Sequence, residues 1–257
     1  MNYNYHTHTW RCLHASGTME EYVIRAVENG IRYMGFSDHV PFRCADGFEA
    51  IGTRVPIAQV YDYVNDAKLL REKYKDEIEI SVGFEMEFYS NEFDSMLSDV
   101  KKWGAEYLIL GQHFYEPEHP SGVHMSKPFD SAQVLNTYAD SLVSGVKTGV
   151  FTYVAHPDMV NFIGDESTYC EIMRKVCIAS KETGIPLEMN FYGIRDNRNY
   201  PNRAFWKTVG EVGSPVTFGF DAHTVESAFD GESYHKAIKL VDEYKLNYIG
   251  KPQLIFL

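Results

Sequence analysis

The chain has 257 residues, 44% hydrophobic and 23% charged, with no low-complexity tract; this excludes disorder and suits one domain with a full core. Thirty-six acids against 24 bases give a formal charge of −12, and no Lys/Arg run is present to track a phosphate backbone, so nucleic acid is excluded as a partner. No apolar run reaches membrane-spanning length, and Asn2, Asn4, His6 and His8 interrupt any signal-like start, so a soluble cytoplasmic protein without membrane attachment is expected.

The chain opens on Tyr3-Asn4-Tyr5-His6-Thr7-His8, an extended run in which alternate side chains share one side, so His6 and His8 form a pair suited to gripping a metal. His14 follows a short loop and can return to the same mouth. Thr18 and Glu21 stand in capping-box spacing before a helix to about Asn29, which Gly30 ends. Ile31 to Phe36 reads as a short strand stopping at Ser37-Asp38-His39, and the loop from Pro41 to Pro56 is long enough to act as a lid.

Val60 to Lys75 is an amphipathic helix, and Ile78 to Glu85 a strand ending on a carboxylate, with Glu87 in the same parity. A helix over 92–102 precedes the strand Tyr107 to Leu110, which runs into Gly111-Gln112-His113. An irregular stretch from Glu116 to Pro128 carries His119 and His124 before a helix from about Asp130 to Lys147. Val150 to Ala155 then ends at His156-Pro157-Asp158, a helix spans Thr168 to Thr183, and Pro186 to Asn190 is a strand carrying Glu188. Arg203 to Val212 is helical, Val216 to Phe220 is a strand ending at Asp221-Ala222-His223, and a last helix from about Tyr234 to Tyr244 precedes a short apolar tail.

Strand and helix alternate seven times, which argues for parallel strands joined by crossovers, either a doubly wound sheet or a barrel. In a barrel the carboxyl ends of all strands share one face, where the chemistry gathers. Those ends supply His6, His8, His39, Glu85, His113, His156, Asp221 and His223, with His14 close by. Imidazole and carboxylate without thiolate suit zinc, manganese or iron, and nine such groups exceed what one ion with an open position needs, so a cluster of two or three is expected. Cys12, Cys44, Cys170 and Cys177 show no metal or disulfide spacing; Cys12 alone lies near the histidine mouth.

Taken together, His-x-His at 6, Ser-Asp-His at 37–39, Gly-Phe-Glu at 83–85, Gly-Gln-His at 111–113, Ala-His-Pro at 155–157 and Asp-Ala-His at 221–223 resemble the PHP superfamily of polymerase and histidinol phosphatase domains. That resemblance implies a distorted (β/α)7 barrel with its active site at the carboxyl ends of the strands and three divalent metal ions. His6, His8, Glu85 and Asp221 would hold the first; Glu85, His113 and His156 the second; His14, His39 and His223 the third. Asp221, Glu85 and His113 would be the catalytic set. The segment from Asn190 to Arg195, followed by Tyr200-Pro201, resembles the monofunctional histidinol-phosphate phosphatases of histidine biosynthesis, although Gln112 and Phe191 depart from that pattern.

The chemistry so implied is hydrolysis of a small phosphate monoester by a hydroxide bridging two cations. Arg195 would clamp the phosphate, with Arg198 as a weaker candidate and His124 as a further substrate contact. Asp38, His124 or a metal-bound water would protonate the leaving group, and Glu87 or Asp158 at the rim would receive the cationic end of histidinol phosphate. The alternatives are a related phosphoesterase acting on nucleotides, nucleoside bisphosphates or phosphotyrosine, and a non-catalytic metal-binding regulatory module. No residue pattern sets an oligomeric state.

Overall fold

Among the described residues eight strands lie parallel in one sheet, in the order of the chain: β1 (Tyr3–Asn4), β2 (Tyr33–His39), β3 (Glu79–Met86), β4 (Tyr107–Leu110), β5 (Phe151–Val154), β6 (Leu187–Asn190), β7 (Pro215–Gly219) and β8 (Asn247–Tyr248). The computed structural model describes residues 1–44, 47–50, 52–117 and 122–257. Parallel neighbours need crossover connections of about a dozen residues or more. These are built around α1 (Met19–Glu28), α2 (Val60–Tyr74), α3 (Phe93–Trp103), α4 (Ala132–Lys147), α5 (Glu166–Thr183), α6 (Phe191–Arg195), α7 (Arg203–Val212) and α8 (Gly231–Tyr244). Among the described residues no helix is long and apolar enough to cross a membrane.

The sheet curls until its first and seventh strands meet. Beyond β1, Thr7 bridges in parallel to Ala222 beyond β7; His8 N donates to the Ala222 carbonyl at 2.9 Å and Ala222 N to the His6 carbonyl at 3.2 Å. This is the distorted (β/α)7 barrel that the family resemblance implies, and one of the two arrangements that the alternation left open. The eighth strand hooks onto the start of β7 through Pro215 with Asn247 and Val216 with Tyr248; two residues carry no periodic signal, which is why it reads as tail. Helix α6 is also new: five residues are too few for a periodic pattern, and the Asn190 side chain starts it by accepting from Tyr192 N and Gly193 N.

Burial follows the layers. A large apolar cluster fills the space between sheet and helices, with Trp206, Tyr22, Tyr63 and Phe84 among its fully buried members. The barrel interior is a second, smaller cluster of Tyr3, Tyr5, Tyr107, Ile109, Tyr153, Ala155 and Leu254. Tyr107 Oη donates to the Tyr5 carbonyl at 2.9 Å, satisfying a hydroxyl that burial would otherwise penalise. This plug closes the barrel below the strand ends and leaves the polar groups gathered above it.

Candidate metal centre

Strand pairing delivers the ligands side by side. The parallel register of β2 and β3 sets His39 against Glu85. The Thr7–Ala222 bridge puts His6 and His8 on either side of one residue, next to Asp221 and His223. A short turn at Trp10–Cys12, capped by Thr9 and ended by left-handed Leu13, returns His14 until its Nε2 lies 2.9 Å from His223 Nε2. His113 and His156 follow β4 and β5, and their Nε2 atoms lie 3.4 and 2.7 Å from Glu85 Oε1.

Glu85 and Asp221 stand at the centre. Glu85 Oε2 lies 3.4 Å from both His6 Nε2 and His8 Nε2 and 3.1 Å from His39 Nδ1. Asp221 Oδ1 lies 3.5 Å from His6 Nε2, 3.2 Å from His8 Nε2 and 3.3 Å from His223 Nδ1. All nine residues singled out in the sequence are therefore in one place. Two glycines make room: a Cβ at Gly111 would sit 1.9 Å from Glu85 Oε1, and one at Gly219 would sit 1.8 Å from Glu188 Oε1. His156 and Asp221 also adopt positive φ of 29° and 48°, a backbone cost tolerated where a site needs the geometry.

Behind the inner ring, buried acceptors orient the imidazoles. Glu188 Oε1 holds His6 Nδ1 at 2.8 Å, Glu87 Oε1 holds His113 Nδ1 at 2.9 Å, and Asp38 Oδ1 stands 3.4 Å from His8 Nδ1. Such partners fix which nitrogen of each ring faces the centre. The carbonyls of Cys12 and Asp221 do the same for His14 and His223.

The electrostatics mark a site built for positive charge. Burial alone would raise Glu85, yet the imidazoles of His113, His39, His6 and His156 hold it well below the usual carboxylate range. Asp221 is depressed in the same way, burial being outweighed by His6, His223 and His8. Burial lowers His6, but Glu188, Asp221 and Glu85 lift it to about 10, whereas burial and the imidazoles of His223 and His8 push His14 down to about 4. Among the described residues His6 Nε2, His8 Nε2, both Glu85 oxygens and Asp221 Oδ1 are buried with no hydrogen-bond partner. Each such orphan costs roughly 1–3 kcal/mol, and cations satisfy the whole set at once. Ligand atoms of His6, His8 and Asp221, of His6, Glu85 and His156, and of His8, His39 and His223 lie within 4.8 Å of one another in each group. These donors fit divalent zinc, manganese or iron.

Around the centre is a cavity of about 240 Å³, lined by Thr53, Arg54, Glu87, Phe114, His124, Met159, Tyr192, Arg198 and Tyr200 besides the ligands. Here several sequence expectations are corrected. Arg195 does not line it: its guanidinium pairs with Asp230 at 2.9 Å and donates to the Phe220 and Asp221 carbonyls, bracing Asp221 from behind. Arg198 faces the cavity instead, stacked 3.9 Å over the Tyr192 ring, which itself stacks on His223. Glu87 lines the cavity while paired with Arg54 and His113, whereas Asp158 is buried outside that lining, accepting from Asn202 N and Trp206 Nε1. Asp38 is buried, accepts from Thr9 and is not among the residues that line the cavity. His124 lines the cavity, and burial and the imidazoles of His113 and His156 lower it to about 3, which leaves its ring neutral. His119 lies outside the described residues. Arg54 and Tyr192 were missed, because their partners are distant in sequence or set by side-chain direction.

The PHP domain family model matches residues 4–191. A probable histidinol-phosphatase of Deinococcus radiodurans is 24% identical, the match covering 85% of each chain. One of Schizosaccharomyces pombe is 23% identical over 93% of this chain and 85% of its own. The crystal structure of histidinol phosphate phosphatase from Lactococcus lactis, complexed with zinc, L-histidinol and phosphate, superposes with a TM-score of 0.71 at 16% identity, covering 96% of this chain and 95% of that one.

Proposed function

The chain belongs to the PHP domain family, and on that premise we propose that it is a metal-dependent phosphomonoesterase that hydrolyses histidinol phosphate to histidinol and phosphate, a step of histidine biosynthesis. The observation that carries the reading is the convergence of unpartnered, buried His6, His8, Glu85 and Asp221 atoms beside a metabolite-sized cavity that also presents Arg198. The names of the relatives in bacteria and yeast support the substrate.

We assign three divalent cations to the site: one with His6, His8, Glu85 and Asp221, one with Glu85, His113 and His156, and one with His14, His39 and His223. When bound, such ions neutralise phosphoryl oxygens and acidify water for attack on phosphorus.

The chain's own residues do the rest. Arg198 offers a planar fork to the phosphoryl oxygens, pre-positioned by its stack on Tyr192 and paired only loosely with Asp196 at 3.6 Å. Phe114 and Tyr200 line the remaining wall, where an aromatic ring favours a cationic amine or imidazolium. Neutral His124, with Nδ1 2.8 Å from Ser126 Oγ, offers its other nitrogen to the substrate. A panel of histidinol phosphate, nucleotides, nucleoside bisphosphates and phosphotyrosine, compared by kcat/KM, tests this reading. Histidinol phosphate is expected to lead; a preference for nucleotides overturns the assignment.

A further inference from the structure

One guanidinium ties together three consecutive strand ends. Arg54 forms two parallel bonds with Glu87, Nη2 to Oε1 at 2.7 Å and Nη1 to Oε2 at 3.0 Å, and both side chains are buried. Glu87 follows β3, and its Oε1 also accepts from His113 Nδ1 at 2.9 Å, beyond β4. Arg54 Nη1 reaches back to the Val40 carbonyl at 3.1 Å, and the adjoining Val55 N donates to the His39 carbonyl at 3.3 Å, so the end of β2 is held too. His39, Glu85 and His113 stand on these three ends.

We propose that Arg54 is a positioning residue for the cation site, acting through Glu87 on His113; the inference rests on the ligand reading given above. Glu87 selects the ring form in which Nδ1–H donates and the Nε2 lone pair faces Glu85, 3.4 Å away. Glu87 can do so only while its own position is fixed, and a planar fork fixes a carboxylate in both distance and direction where a lysine ammonium fixes distance alone. Arg54 also lines the cavity, so the rival role is direct contact with the substrate's phosphate. Its bidentate pairing opposes that role, because a phosphoryl oxygen would have to compete with Glu87 for the same N–H groups.

The test compares Arg54→Met, the double variant Arg54→Met/Glu87→Gln and His113→Ala, each titrated with Zn²⁺ against a chromogenic chelator and assayed for kcat and KM. Arg54→Met is expected to weaken a Zn²⁺ step about 10- to 100-fold. Its KM should move by less than about threefold and its kcat should recover with added Zn²⁺. The double variant should lose no more Zn²⁺ affinity than Arg54→Met, since both changes cut one chain of contacts. If Arg54→Met fails to fold, the double variant, which leaves no carboxylate without a counter-ion, carries the same Zn²⁺ prediction. Unchanged Zn²⁺ binding with a rise in KM of about tenfold or more would make Arg54 an anion contact and overturn the inference. Normal Zn²⁺ binding in His113→Ala would instead overturn the underlying ligand reading.

Discussion

His6 and Glu188 are joined across the barrel by a 2.8 Å contact between Nδ1 and Oε1, and neither side chain reaches solvent. Glu188 spends its other oxygen on His156 N at 3.0 Å and Asn190 Nδ2 at 2.8 Å, so one carboxylate aligns two of the proposed ligands. A carboxamide at this position cannot serve all these donors, because its own N–H groups would face them. Glu188→Gln is therefore expected to lower metal affinity about 10- to 100-fold. Competition titration with a chelator reads the change, and wild-type affinity would remove Glu188 from this role.

Metal binding should be coupled to proton release. In the metal-free chain Glu188, Asp221 and Glu85 hold the His6 proton up to about 10, against an ordinary value of 6.5. A raised folded value means that this proton stabilises the metal-free fold fully below pH 6.5, and that the contribution is lost as the pH rises towards 10. A cation on His6 Nε2 must displace the proton. Loading with Zn²⁺ at about pH 7.5 should acidify a weakly buffered solution, and apparent affinity should rise between about pH 6.5 and 9. An indicator dye that reports no proton release would contradict the assignment of His6.

The two arginines separate function from support. Arg198→Met should raise KM by about tenfold or more while the melting temperature holds, since Arg198 is half-exposed and bound chiefly to the Tyr192 face. Arg195→Met should lower stability by about 1–2 kcal/mol through lost bonds to Asp230 and the carbonyls behind Asp221, with a smaller change in KM. Steady-state kinetics and thermal melts on both variants check this. The reverse pattern would restore Arg195 as the phosphate contact.

The placement of those arginines, Arg195 turned to Asp230 and Arg198 facing the cavity, shows where sequence stops informing. His39, Glu85, His113 and His156 were legible because each ends an apolar run in an α/β alternation, and the barrel gathers such ends on one face. Thr18 and Glu21 were legible as a capping box because the motif is wholly local. Arg195 and Arg198 are three residues apart, and their directions are set by the short helix α6 and by Asn197, whose φ of 50° turns the chain between them. No periodicity announces either feature. Glu188 was read as a polar strand position, but its function depends on His6, 182 residues away. Arg54 gave no signal of its own within the loop after β2, since its partner Glu87 follows β3 and only the folded barrel brings the two together.

The central claim is that side chains from six strand ends hold several divalent cations in one pocket. The most direct measurement is the zinc, manganese and iron content per chain after purification without chelator, by inductively coupled plasma mass spectrometry, with phosphatase activity followed during metal removal. The account predicts a total of about three ions per chain and loss of activity as they are stripped. Full activity in a protein that carries none would contradict it.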